Sequence, residues 1–230
     1  MHSERKILIW DLPIRLFHWL LVAAVIALVV SGKVGGNLIR WHGVLGLVVL
    51  GLLVFRIAWG FLGSTYARFF NFFPTPKKVA AYLRGEWRGH GHNPLGAFSV
   101  FGLLGVLLFQ VLSGLVANDD IAFTGPLYDL VGRDISNLAT RWHHLVVNVL
   151  LALVALHVAA ILFYAHVKKD NLVKPMVLGW KASEDGESAR GGGVLAFVLA
   201  LAVAGLAVYG ASGAWLPEPP PPAAVETPAW

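Results

Sequence analysis

The sequence predicts an all-α membrane protein, a four-helix transmembrane bundle followed by a fifth transmembrane helix near the C-terminus. Three observations lead there. The 230 residues are 57% hydrophobic and only 13% charged, with a mean hydropathy of +0.68. Five apolar runs, at 12–30, 41–59, 94–116, 141–166 and 194–214, each have about the 20 residues needed to cross a hydrocarbon core of roughly 30 Å. The basic residues are also one-sided. With the N-terminus in the cytoplasm, all eighteen lysines and arginines except Lys33, Arg40, Arg133 and Arg141 fall on the inner side. This bias orients the chain N-in, with the C-terminal tail outside. It also accounts for the net charge of +5 without nucleic acid.

Taken in order, the elements follow from composition. The N-terminal fifteen residues are polar, and the first run carries Arg15 and His18. A signal peptide does not fit, because the run is long and no small-residue cleavage site follows it. A polar turn at 31–40 leads to the second run, which opens with His42, continues through Gly43, Gly46 and Gly51, and carries Arg56 near its inner end. Residues 60–93 form a long basic connection with Pro74 and Pro76, with a short surface helix predicted at 77–84. The third run is rich in glycine and serine and holds Gln110 but no histidine. An acidic outer loop with Asp119, Asp120, Asp129 and Asp134 precedes the fourth run. Residues 1–180 therefore read as the four-helix domain, 181–193 as a cytoplasmic linker, 194–214 as the fifth span and 215–230 as a proline-rich external tail, extended or disordered.

The chemistry is carried by histidines. His143 and His157 are fourteen residues apart on the fourth run, which places them about 40° apart around a helix and about 21 Å apart along it. His144 faces elsewhere. By depth, His18 and His157 share the inner half of the membrane, while His42 and His143 share the outer end. Imidazole inside a membrane is costly and marks function. Two imidazoles facing each other across a helix bundle fit bis-histidine haem iron, whose filled axial positions suit electron transfer. Arg15 and Arg56 are inner candidates to hold haem propionates, Arg40 and Arg141 outer ones. A zinc or non-haem iron centre would want three or four clustered ligands, and no acidic residue lies within a span. The absence of cysteine excludes disulfides, thiolate centres and covalently attached haem.

The chain resembles the bacterial cytochrome b561 family, specifically the b-type cytochrome subunits of nickel–iron hydrogenases, over about residues 7 to 180. The resemblance rests on WDLPIRLFHW (10–19), WHG (41–43), FRIAWGFLGSTYARFFNF (55–72), GHNPLGA (91–97), SGLVANDDIAFTGPLYDLV (113–131) and the His143/His157 run. It implies two non-covalent b haems, ligated by His18 with His157 and by His42 with His143, in the bacterial inner membrane. Many relatives carry an acidic residue where this chain has His144, and the angular argument assigns the ligand to His143. The resemblance also implies exchange of electrons with quinone. His92, Asn93, Tyr164 and His166 lie near the inner surface where a headgroup would bind, without a motif that selects among them. The expected function is transmembrane electron transfer between the quinone pool and a periplasmic redox protein. That partner would be a hydrogenase-like subunit or a c-type cytochrome docking on the acidic outer face, to which Glu218 and Glu226 add charge. A stand-alone quinone-coupled oxidoreductase of the superoxide oxidase kind remains as an alternative, and so does a haem-free transporter or assembly factor. An oligomer is compatible with any of these.

Overall fold

A computed structural model describes residues 5–217 apart from 122 and 184. Glu218, Glu226 and most of the proline-rich tail lie outside the described residues.

The first span, α1 (Leu12–Val34), starts where Asp11 accepts a hydrogen bond from the Ile14 amide at 2.8 Å, with a proline in the first turn. It ends at Gly35, whose φ of 66° turns the chain through a short 3-10 turn into α2 (Ile39–Leu62). The long connection folds into two surface helices, α3 (Phe69–Phe72) and α4 (Pro76–Leu83). Asn93 then caps α5 (Pro94–Leu115) by accepting from the Gly96 amide at 2.7 Å. The fourth span, α6 (Gly132–His166), has 35 residues, about 52 Å of helix, and so projects beyond a 30 Å core. It begins nine residues earlier than the apolar run. The added two and a half turns are polar, with Asn118 of the preceding loop buried against them through Ser136, Asn137 and Thr140. A short α7 (Val173–Leu178) and the fifth span, α8 (Gly193–Ala211), complete the helices.

Five helices are thus long and apolar enough to cross a membrane, and the protein is an all-α multi-pass membrane protein. Helix α2 is central, packing against α1, α5 and α8, while α6 packs mainly on α5. Small residues on α8, Ala200 and Ala204, let it lie close along α2 beside Phe55 and Trp59. Many large apolar side chains on the outer faces, such as Leu156 and Leu162 of α6, are exposed, as lipid-facing positions should be.

One feature of the face that the lysine and arginine bias assigns to the inside was not expected. Strand β1 (Arg5–Leu8) pairs antiparallel with β2 (Trp180–Ser183), from Arg5 opposite Ser183 to Leu8 opposite Trp180. The segment read as a linker is docked onto the bundle. The Ala189 amide donates to the Leu8 carbonyl at 2.7 Å, the Thr65 amide to the Arg190 carbonyl at 2.8 Å, and Tyr66 Oη to the Glu187 carbonyl at 2.6 Å. Ile7 and Ile9 beneath this clasp are fully buried.

Candidate cofactor sites at the two ends of the bundle

At the end of the bundle that the charge bias assigns to the outside, here the outer end, α2 and α6 bring His42 and His143 together, with ring centroids 6.1 Å apart and planes nearly perpendicular at 79°. Each ring is held by the helix next to it in the chain. His42 Nδ1 donates to the Leu28 carbonyl at 3.0 Å and lies 3.3 Å from Ser31 Oγ on α1. His143 Nδ1 donates to the Gln110 carbonyl at 2.9 Å and lies 3.1 Å from Ser113 Oγ on α5. The protons thereby sit on Nδ1, which leaves the Nε2 lone pairs free. A metal ion holds an imidazole nitrogen at about 2 Å and the ring centre lies roughly 1.1 Å beyond, so imidazoles on opposite sides of one ion have centroids about 6 Å apart. The observed separation fits a single atom between the two rings.

The two cradles repeat each other. Leu28, Ser31 and Gly32 on α1 have the same spacing as Gln110, Ser113 and Gly114 on α5. Both serines also bond back to carbonyls of their own helix. Both glycines meet the imidazole edge, because a Cβ at Gly32 would stand 3.0 Å from His42 Cε1 and one at Gly114 3.2 Å from His143 Cε1. The pairing Ser-Gly with Trp-His, at 31–32 with 41–42 and at 113–114 with 142–143, was in the sequence as a signal for these positioning residues. The cavity around the rings is lined by the buried apolar side chains of Val49, Leu107 and Leu150 and by exposed polar ones such as Lys33 and His144. Gln110 is 7% exposed and its side-chain Oε1 has no partner there. His144 is exposed, and Arg40 and Arg141 are exposed and do not line the cavity.

At the inner end, His18 on α1 and His157 on α6 lie within electrostatic reach of each other, as both do of His92 just before α5. His157 Nδ1 is 3.3 Å from Ser99 Oγ, while His18 Nδ1 is buried without a partner. His92 lies against Trp10 and Phe72, each ring centroid 4.6 Å away. Burial, followed by the positive charge of Arg56, pushes its pKa down to about 3, so the ring is neutral at physiological pH. Arg56 is only 3% exposed. Its guanidinium lies 4.5 Å from the Phe69 ring centre, and its Nη1 has no partner. Asp11 is its nearby countercharge, but that carboxylate already accepts from Trp59 Nε1 at 3.0 Å and from the Ile14 amide. A buried guanidinium with an open donor is a built site for an anionic group. Arg15 instead donates to the Val177 carbonyl at 2.6 Å, with its Nε buried and unpartnered.

A second cavity opens beside His92, lined by Tyr66, Phe72, Lys78, Trp87 and His90. Nearby, Asn93 Nδ2 donates to Tyr164 Oη at 2.7 Å, and Tyr164 shares a short hydrogen bond with Tyr82. His166 is exposed and joins neither. Among the described residues no three His, Cys, Asp or Glu gather to hold a bare metal ion.

The outer acidic loop is organised around itself. Asp119 Oδ1 accepts from the amides of Ile121 and Phe123 at 2.9 and 2.8 Å, and Asp120 pairs with Arg133 at 3.1 Å.

Residues 9–179 match the family model of prokaryotic cytochrome b561. Three curated relatives are a probable Ni/Fe-hydrogenase B-type cytochrome subunit of Azotobacter vinelandii, 25% identical over 80% of this chain and 92% of the relative; a probable Ni/Fe-hydrogenase 1 B-type cytochrome subunit of Escherichia coli K12, 24% identical over 78% and 92%; and a counterpart in Cupriavidus necator, 24% identical over 80% and 90%. No solved structure matches the chain. The match across four spans and both histidine clusters places the chain in the prokaryotic cytochrome b561 family.

Proposed function

We propose that the protein is a two-haem b-type cytochrome carrying electrons across the bacterial inner membrane, between a periplasmic redox partner and the quinone pool. The observation that carries this reading is the His42–His143 pair, 6.1 Å apart with both Nδ1 atoms tied back. His42 and His143 hold the outer haem, and His18 and His157 hold the inner one. A bis-histidine haem, when bound, exchanges single electrons with little rearrangement. The chain's own part is to fix the imidazole tautomers, wall the rings with apolar side chains and offer Arg56 and Arg15 to the inner propionates. His144 is not a ligand.

The cavity beside His92 is the quinone site in this reading. Its aromatic lining suits a flat headgroup, and the Asn93–Tyr164–Tyr82 chain offers hydrogen bonds toward the cytoplasm. N-terminus inside and C-terminus outside follow from the lysine and arginine bias. That the relatives are named as hydrogenase subunits favours a hydrogenase as periplasmic partner. A c-type cytochrome steered by Asp119 and Asp120 is the weaker choice, because the loop uses both carboxylates internally.

The test is the spectrum and the haem content of the purified full chain. Two haems per chain with bis-histidine absorption supports the reading, and a colourless protein overturns it in favour of a transporter or assembly factor. Reduction of quinone to quinol with no partner protein present, driven by oxidation of superoxide to dioxygen, would point to the stand-alone oxidoreductase.

A further inference from the structure

The outer cavity has one cationic side chain of the Lys or Arg type, and it is not one that the sequence singled out. Lys33 lines the cavity with His42 and His143, whereas Arg40 and Arg141 do not. It belongs to the last turn of α1, and that turn also cradles His42. Leu28 accepts from the ring, Ser31 lies beside it, and Gly32 approaches its edge. The residue after Gly32 therefore stands where the cradle ends and the cavity mouth begins. Among the described residues Lys33 makes no ion pair. The lining is one-sided in polarity, with the buried Val49, Leu107 and Leu150 at one extreme and the exposed Lys33, Asp119 and His144 at the other. A porphyrin is one-sided in the same way, with an apolar edge and a carboxylate edge.

Resting on the two-haem reading, we propose that Lys33 is the cation that binds a propionate of the outer haem, orienting that ring with its carboxylate edge toward the mouth. A positive charge near the ring favours the more negative, reduced state, so Lys33 also raises the potential of this haem over that of an otherwise identical site. An ammonium on a flexible stem at the mouth suits this task, since it reaches one carboxylate as a point charge without fixing its geometry.

The experiment is a redox titration of the purified full chain in nanodiscs, comparing wild type with Lys33→Gln and Lys33→Arg and following the haem absorption bands. One of the two midpoint potentials falls in Lys33→Gln and is restored in Lys33→Arg, while the other stays in place in both. If Lys33→Gln loses one haem and Lys33→Arg keeps it, the cation is again required. Two unchanged potentials in Lys33→Gln overturn the proposal, as does an equal change in both variants. These failures leave the two-haem reading intact. That reading fails separately if wild type carries fewer than two haems or if His42→Ala and His143→Ala keep both.

Discussion

Replacing Gly32 by alanine should weaken the outer site while strengthening the helix that carries it, and the magnitudes predict which effect wins. The new Cβ would lie 3.0 Å from His42 Cε1 and 3.1 Å from its Nδ1, whereas ordinary contacts begin at 3.4 Å. The ring must retreat by about 0.4 Å, which takes the Nδ1–Leu28 carbonyl bond from 3.0 Å past the roughly 3.2 Å limit of a good hydrogen bond. Loss of such an orienting partner typically lowers metal affinity by about 10- to 100-fold, or about 1.4–2.7 kcal/mol. Alanine in place of glycine inside a helix returns about 0.5–1 kcal/mol. The site loses more than the helix gains, so the variant should fold normally yet release one haem to an apoprotein acceptor at least tenfold more readily. Gly114→Ala, where the contact is 3.2 Å, should do the same more weakly, and Gly102→Ala, which meets nothing within 4 Å, should only stabilise. If Gly32→Ala holds both haems as tightly as wild type, with unchanged spectra, the cradle is not what positions His42.

Other outcomes follow from the same geometry. His42→Ala, His143→Ala, His18→Ala and His157→Ala should each halve the haem per chain, read by pyridine haemochrome, while His144→Ala retains both; loss of haem in His144→Ala alone would reassign the ligand on α6. Arg56→Gln should weaken retention of the inner haem and lower its potential, with Arg56→Lys intermediate, because a buried donor aimed at an anion is removed; unchanged potentials would make Arg56 a packing residue against Phe69. Asn118→Ala removes the amide that donates to Ser136 Oγ and Asn137 Oδ1 and should cost about 1–3 kcal/mol, seen as faster proteolysis of the outer loop. Asp119→Asn with Asp120→Asn should leave the salt dependence of electron transfer to the outer haem unchanged, since both carboxylates serve the loop; a marked loss of that dependence would restore the steering role.

The spans were legible because lipid demands long apolar helices, and residues 12–30, 41–59 and 94–116 needed only small extensions. Depth pairing of the histidines was legible for the same reason, since helix rise and charge bias set where each imidazole lies. The inner clasp was not, because RKIL and WKAS are four-residue strands whose alternation cannot be told from a polar terminus and a charged linker. The first turns of α6 were missed because GRDISNLAT is polar, and its helicity comes from the network around Asn118 rather than from any apolar stripe. The angles alone favoured His143 over His144, and His143 is the one whose ring stands against His42. Its partner, the backbone carbonyl of Gln110, could not be read in the same way, since a carbonyl has no sequence signature. His92 was named among four interfacial residues, but its place between Trp10 and Phe72 depends on how the 60–93 connection folds back.

The clasp between β1 and β2 sets an order of assembly. Arg5 and Ser183 meet across 178 residues, so closing that loop in an unstructured chain would cost about 4–5 kcal/mol of chain entropy, more than two four-residue strands return. The strands can therefore pair only once four helices have entered the bilayer and packed, which brings their ends together at no further entropic cost. During synthesis β1 emerges first and waits unpaired through the insertion of the four helices that follow it. A chain stalled after three spans keeps a bare strand edge at the membrane surface, open to proteases and to other unpaired edges. Closure of the clasp is thus a local record, held at the chain's two distant segments, that the whole bundle has been threaded.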